Sequence, residues 1–192
     1  MEKAVITFYG GAGTVTGANF LFDTGTTKLL IDCGAHEREK LCDPHNQTPF
    51  PYDVGAIDAL IVTHAHQDHI GLIPKLVREG FRNPIHSTHA TRDIAAIMLE
   101  DAISVMQRES EKHGCPPLYE QADVERARAL WVGHEYHEPF EIGDARIELL
   151  DAGHVLGSAM IKMCRREGRQ AEGLRGVSQA DGPRVSAGAA AP

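Results

Sequence analysis

The chain has 192 residues, of which 42% are hydrophobic, and this is enough for one domain with a sizeable core. Its net charge of −8 at pH 7 argues against a protein that grips nucleic acid through a broad basic surface. The negative charge does not exclude a nuclease, because bound divalent ions add positive charge where a phosphate must sit.

The sequence shows no signs of a membrane or secreted protein. No apolar run approaches the roughly 18 residues that span a bilayer, so no membrane partner is expected. The N-terminus MEKAVITFYG lacks the charged-then-apolar layout of a signal peptide, and we expect a cytoplasmic protein. The cysteines show no CxxC spacing, so we expect reduced thiols at Cys33, Cys42, Cys115 and Cys164.

The N-terminal part is predicted to be an antiparallel meander. Residues 4–9 are rich in β-branched and aromatic side chains and predict a first strand. The glycine-rich bend at 10–17 departs from GxGxxG at Thr16 and precedes another strand, which favours a tight turn bordering a site over a dinucleotide loop. Residues 19–22 and 28–31 then flank a hairpin turn.

Asp32 follows the second strand of that hairpin, in the segment IDCG. A carboxylate at this position is expected to be buried, and a buried aspartate needs hydrogen-bond partners. Two interpretations stay open. The carboxylate either caps a turn or accepts an N–H from a metal-bound imidazole and so fixes the tautomer of that ring.

The densest group of functional residues follows the apolar run 59–62, which predicts a buried strand. Three imidazoles and a carboxylate fall within six residues at the carboxyl end of this strand, where α/β proteins usually place their chemistry. Neutral imidazole and carboxylate are ligands that zinc prefers. A loop and the start of a helix can face different points, so this segment could supply two ions. The candidate ligands are His64, His66, Asp68 and His69.

The next segments predict helices that cover one face of a sheet. A helical pattern starts at Asp68, and its apolar residues Ile70, Ile73, Leu76 and Val77 fall on one face. Residues 85–88 predict a short strand, 91–112 a long amphipathic helix and 123–130 a shorter helix. Residues 134–138 do not match HExxH and are expected to form a polar loop or an edge strand.

Another histidine follows a predicted strand near the end of the patterned region. Residues 146–150 alternate as a strand should, and His154 comes next, between Gly153 and Gly157. Taken alone, such a histidine is more often an ordinary loop residue. Its place at a strand end, and the need for a third ligand, favour His154 as the third imidazole of one metal.

The composition changes at Arg165. The segment 165–192 has five arginines, three acidic residues and few aliphatic side chains, so we expect it to be disordered. The folded unit is therefore expected to comprise residues 1–164.

These motifs together resemble the metallo-β-lactamase fold, whose hallmark HxHxDH occurs here at 64–69. GGAGTVTG, IDCG and AGHVLGSA resemble the β-CASP branch, which includes the endonuclease subunit of the cleavage and polyadenylation specificity factor and ribonuclease J. The resemblance covers about residues 4–163. It implies an α/β (α+β) fold, the N-terminal half of a metallo-β-lactamase αββα sandwich, with a mostly antiparallel or mixed sheet covered by helices.

The resemblance also implies a function. It predicts a metal-dependent hydrolase that cleaves phosphodiester bonds in RNA with a hydroxide held between two zinc ions. Zinc is favoured over manganese or iron, although His and Asp ligands suit all three. By this resemblance Asp32 and Asp68 are the catalytic carboxylates. His64, His66 and His154 would hold one zinc, while Asp68 and His69 would serve the second.

The chain also departs from the family pattern. The family continues with an aspartate that bridges the two metals, an inserted β-CASP domain and further histidines, and none of these follows here. We therefore expect an incomplete second metal site, a truncated or out-of-frame end after about Cys164, and weak or no activity. Two alternatives remain: a hydrolase of small thioesters or lactams on the same scaffold, or a non-catalytic fragment with an uncovered apolar sheet.

Overall fold

The structure, a computed structural model, describes residues 3–36, 43–167 and 170–175. Within these residues the larger sheet has six strands in the order β1-β2-β3-β4-β5-β6. The first three strands pair antiparallel, as predicted for the N-terminal meander, and β3 to β6 pair parallel. Their bounds are β1 (Val5–Gly10), β2 (Asn19–Asp23), β3 (Lys28–Ile31), β4 (Ala59–Ile61), β5 (Ile85–Thr88) and β6 (Trp131–His134).

A second, antiparallel sheet packs against one face of the first, in the order β10-β9-β8-β7. Alternate residues of β8 and β9 point inward, and a buried apolar layer joins the two sheets. The apolar face that a half-sandwich would expose is therefore covered here. The strands are β7 (Phe140–Ile142), β8 (Ala145–Asp151), β9 (Ala159–Glu167) and β10 (Gln170–Arg175). The layer includes Phe22, Leu29, Ile61, Ile147, Leu149 and Ile161.

Helices cover the opposite face of the larger sheet, and their apolar residues form the larger core cluster. The architecture is a mixed sheet covered by helices, which confirms the predicted fold class. Among the described residues, no helix is long and apolar enough to cross a membrane. The helices are α1 (Pro44–Gln47), α2 (Gln67–Ile70), α3 (Ile73–Arg78), α4 (His89–His113) and α5 (Gln121–Ala129), with a 3-10 turn at Val54–Ala56.

Several local predictions differ from the structure. The helix expected from Asp68 is two helices, α2 and α3, because the Leu72 amide donates to the carbonyl of Cys33 instead of that of Asp68. Pro74 also has no amide hydrogen to donate to the carbonyl of Ile70. Helix α4 begins at His89 rather than Thr91, since the Thr88 side chain accepts a hydrogen bond from the Thr91 amide and caps the helix. The short strand β7 was not predicted.

The chain beyond Cys164 also differs from expectation where it is described. Residues 165–167 complete β9, and Gln170–Arg175 forms β10, which pairs with β9 from Gln170↔Glu167 to Arg175↔Lys162. The ladder forms because antiparallel pairing satisfies backbone groups whatever the side chains are. Residues 168–169 and 176–192 lie outside the described residues, so disorder and truncation stay predictions there.

The cysteines are partly as expected. Cys33 and Cys164 are free thiols, and Cys33 is buried. Cys115 is disulfide-bonded, so the expectation of a reduced thiol is wrong at this position. Spacing motifs detect local cysteine pairs, whereas a disulfide needs two cysteines whose Cα atoms the fold brings within about 7 Å. Cys42 lies outside the described residues.

Two neighbouring histidines of the larger sheet, at the edge away from β1, contact the second sheet. The Nδ1 atom of His86 lies 2.8 Å from Nε2 of His134, and the His134 ring stacks on Phe140 of β7 with 3.8 Å between ring centroids. Burial and the neighbouring His134 lower the pKa of His86 to about 4. Burial, and then His89, also lower the pKa of His134. This contact between the sheets therefore favours neutral imidazoles.

We expect the contact between the sheets to weaken in acid. Both pKa values lie below the ordinary value of 6.5, so the stabilisation is complete above that pH and is lost as the pH falls towards about 4. Urea unfolding with a chelator present, from about pH 7 to pH 4, should show a smaller loss of stability for His86→Gln than for the unmodified chain. The exposed Ile97 of α4 provides the control, since Ile97→Gln leaves both imidazoles in place and should show the same loss of stability as the unmodified chain. Identical pH profiles for all three proteins would contradict the prediction.

Candidate metal centre

The histidine-rich segment leaves the middle of the larger sheet. Strand β4 lies between β3 and β5, and the amide of Val62 donates to the carbonyl of His86. The chain then turns through 63–66 into α2, whose N-cap is His66. The side chains that follow β4 therefore emerge at the carboxyl edge of the parallel part of the sheet, as predicted.

Three imidazoles from two distant turns converge at this edge. His66 Nδ1 lies 3.1 Å from His64 Nε2 and 3.3 Å from His154 Nε2. One ring nitrogen from each residue lies within 4.8 Å of the other two. Nitrogen ligands of a tetrahedral zinc stand about 3.3 Å apart, given zinc–nitrogen bonds of about 2.0–2.1 Å. The two distances to His66 match this spacing, so the three side chains could hold a metal ion together.

The cluster is buried on one side and open on the other. His64 is 1% exposed, and burial, followed by its histidine neighbours, lowers its pKa to about 3. It is therefore neutral at physiological pH, which is the form that binds a metal. His66 and His154 are exposed, so water and a substrate can reach the cluster from their side.

Asp68 and His69 lie beside the three imidazoles as a separate pair. The Oδ2 atom of Asp68 lies 3.6 Å from Nε2 of His69, and the rings of His64 and His69 are 4.0 Å apart between centroids. Among the described residues, the set of three or more ligand groups that meet at one point is His64, His66 and His154. The structure thus provides one three-histidine cluster and an adjacent pair.

Asp32 is hydrogen-bonded to the segment that carries the histidine cluster and to the adjacent Asp68–His69 pair. Its Oδ2 atom lies 2.7 Å from His69 Nδ1, and its Oδ1 accepts the backbone amide of Thr63 at 2.8 Å. The carboxylate therefore makes both contacts that were left open, one to an imidazole and one to a turn. Burial alone would lower the pKa of His69, but the charge and hydrogen bond of Asp32 raise it. Asp32 holds this position with φ of 56°, which is rarely seen for residues other than glycine.

Thr63 was missed by the sequence reasoning. Its hydroxyl donates to Asp32 Oδ2 at 2.7 Å and lies 3.0 Å from His64 Nδ1. Because that hydroxyl proton is directed to Asp32, the oxygen accepts the Nδ1–H of His64, and Nε2 is left with a lone pair for a metal. A hydroxyl residue between a buried strand and the first histidine was the available signal.

The turn that carries His154 is fastened by Ser158, which was also missed. The buried Ser158 Oγ accepts hydrogen bonds from the amides of His154 and Val155, both at 3.1 Å. The amide of Ala159 donates to the carbonyl of Thr63 at 2.8 Å. This last bond joins the two histidine-bearing turns directly.

The glycine-rich segment after β1 is a closed turn beside Asp68. A Cβ on Gly10 would lie 1.9 Å from the carbonyl oxygen of Gly17, so the two ends of the turn approach too closely for a side chain. The amide of Ala18 donates to the carbonyl of Asp68 at 2.9 Å. The turn therefore borders the site, as the sequence predicted.

Comparisons with known proteins show which family the chain belongs to. A family model described as Anti-Pycsar protein Apyc1 matches residues 9–165. Over 161 residues the chain is 38% identical to Ribonuclease TTHA0252 of Thermus thermophilus, covering 84% of this chain and 35% of that protein. Over 157 residues it is 35% identical to Transcription termination factor FttA of Methanosarcina mazei, covering 81% of this chain and 24% of that protein.

A solved structure shows the same fold. The crystal structure of MEM-A1, a subclass B3 metallo-beta-lactamase isolated from a soil metagenome library, matches with a TM-score of 0.52 at 15% identity, covering 83% of this chain and 56% of that chain. The fold is thus a metallo-β-lactamase fold, and the resemblance of the N-terminal part to the β-CASP branch is confirmed. The chain belongs to the family described as Anti-Pycsar protein Apyc1. It spans about a third of the length of the first relative and about a quarter of the second.

Replacing Asp32 should destabilise the fold as well as the site. In Asp32→Asn the amide NH2 would face groups that already donate, so we expect a loss of about 1–3 kcal/mol in the free energy of unfolding. Urea denaturation of the metal-free protein measures it. Asp58→Asn is the control, because the exposed Asp58 also accepts one backbone amide, that of Lys28 at 2.8 Å. A loss no larger than that of the control would contradict a supporting role for the carboxylate.

Proposed function

We propose that this chain is the metal-holding part of a hydrolase that cleaves phosphodiester bonds in RNA, with zinc as its metal. The observation that carries the proposal is the convergence of His64, His66 and His154 from two turns that are 88 residues apart. The 38% identical relative is named a ribonuclease, which supports phosphodiester chemistry and RNA as the substrate class.

The donor set supports zinc at the three-histidine cluster. His64, His66 and His154 would hold this ion, while Asp68 and His69 would contribute to a second. A zinc ion bound there would lower the pKa of a coordinated water and neutralise charge on the phosphate. With three candidate ligands for one ion and two for the other, the first site should bind much more tightly.

The surrounding residues would prepare the site for this reaction. Asp32 and Thr63 hold the ring nitrogens of His69 and His64 in the required orientation. Asp68, which is half-buried beside the cluster, would orient the attacking water through its carboxylate. Because the whole chain has a net charge of −8, contacts to phosphate should be concentrated at the metal rather than spread over a basic surface.

The purified chain should bind close to one equivalent of zinc tightly and a second weakly. His154→Ala should weaken the tight site by more than about 100-fold, since even residues that support a ligand typically account for about 10–100-fold in affinity. Metal analysis after dialysis and competition with a chromophoric chelator measure both values. The control is His113→Ala at the C-terminal end of α4, which should bind zinc like the unmodified chain. Equal affinities for the two variants would refute the assignment of His154.

Activity assays distinguish the proposed reaction from the alternative on the same scaffold. We expect little cleavage by this chain, because its second site has two candidate ligands, and any cleavage should act on labelled RNA and disappear with chelator. Hydrolysis of a lactam or a thioester, with RNA left intact, would instead support a small-substrate hydrolase. Two tightly bound equivalents of zinc together with rapid RNA cleavage would contradict the incomplete second site.

A further inference from the structure

The start of helix α4 is bonded to the turn that carries His154. The carbonyl oxygen of Gly157 accepts two hydroxyl groups, from Thr88 Oγ1 at 2.7 Å and from Thr91 Oγ1 at 2.8 Å. Thr88 is 4% exposed and Thr91 is fully buried. Both lone pairs of this carbonyl are therefore used, and neither hydroxyl competes with solvent for it.

The contact is too close for any residue larger than glycine at 157. A Cβ there would lie 2.6 Å from the Thr91 amide nitrogen and 2.9 Å from Thr88 Oγ1. Gly157 also has φ of 84°, a conformation that favours glycine. The turn is thus pressed against the helix start as well as hydrogen-bonded to it.

The contact at Gly157 restrains the imidazole of His154 through the neighbouring Ser158. Gly157 precedes Ser158, whose hydroxyl oxygen accepts the amides of His154 and Val155. The phenol of Tyr136, in the turn between β6 and β7, donates to the Ser158 carbonyl at 2.8 Å and holds the same residue from another side. His154 itself is exposed, and its ring contacts are with His64 and His66, so this backbone scaffold is what holds it on the side of its own turn.

We propose that Thr88 and Thr91 are positioning residues for His154, and that they set the affinity of the three-histidine site by holding the Gly157 carbonyl. The inference rests on the proposed metal site. Thr91 is the more informative of the two residues, because Thr88 also caps α4 through the amide of Thr91. Removing the Thr91 hydroxyl leaves that cap in place.

The test uses Thr91→Val, which keeps the shape of the side chain and removes its hydroxyl. We expect zinc affinity to fall about 10–100-fold, the range typical of residues that support a metal ligand. Affinity is measured by competition with a chromophoric chelator. In the metal-free protein, the amides of His154 and Val155 should exchange with solvent faster than in the unmodified chain. Thr91→Ser, which restores the hydroxyl, should recover both properties.

The matched control is Thr24→Val. Thr24 is fully buried and its hydroxyl donates to Asp144 Oδ1 at 2.7 Å, but it lies in the turn before β3, at the end of that strand away from the histidines. This variant should lower the melting temperature and leave zinc affinity within about twofold. If Thr91→Val left zinc affinity and amide exchange unchanged, or if Thr24→Val lost as much zinc affinity, the inference would be overturned while the proposed function would stand. Failure of the unmodified chain to bind zinc would overturn the proposed function, and the inference with it.

Discussion

The buried carboxylate of Asp32 is the interaction on which the site depends. It accepts the amide and hydroxyl of Thr63 and contacts the imidazole of His69, so one charge is satisfied by three groups of the histidine-rich segment. An unpaired carboxylate at 1% exposure would cost several kcal/mol, whereas one that accepts several hydrogen bonds is tolerated. The hydrogen bonds of Asp32 therefore connect the carboxyl ends of β3 and β4 with the orientation of the imidazoles.

The second sheet positions the third imidazole of the site. Strands β8 and β9 lie on the larger sheet through their inward apolar residues, and the turn between them therefore reaches the carboxyl end of β4. The hydrogen bond from the amide of Ala159 to the carbonyl of Thr63 fixes the position of one histidine-bearing turn relative to the other. Sandwich packing thus brings His154 to His64 and His66, although no local sequence pattern connects them.

The parts of this structure that were predictable are those governed by local pattern. The cluster at 63–69 and the alternation of β8 are readable because ligand spacing and strand period are short-range features. Thr63 and Thr88 were missed, since their roles depend on hydrogen bonds across 31 and 69 residues. Ser158 was missed although its bond to the His154 amide spans only 4 residues, because a serine in a glycine-containing loop has no pattern that marks such a turn. The strand β10 was missed because its partner, rather than its composition, stabilises it. Composition therefore underestimates order wherever a neighbouring strand offers a free edge.

The geometry of the imidazoles also indicates how metal binding would affect the stability of the fold. Two ring nitrogens lie 3.1 Å and 3.3 Å from His66 Nδ1, and a single proton on that atom cannot serve both neighbours well. A cation at the common point would replace these imperfect contacts with three bonds to lone pairs. Metal binding to the folded state alone stabilises it by about 2.7 kcal/mol when the free metal is 100-fold above its dissociation constant. Because Thr63 and Ser158 are hydrogen-bonded to the segments that carry these rings, a metal bound here would stabilise both sheets as well as the loops at their edge.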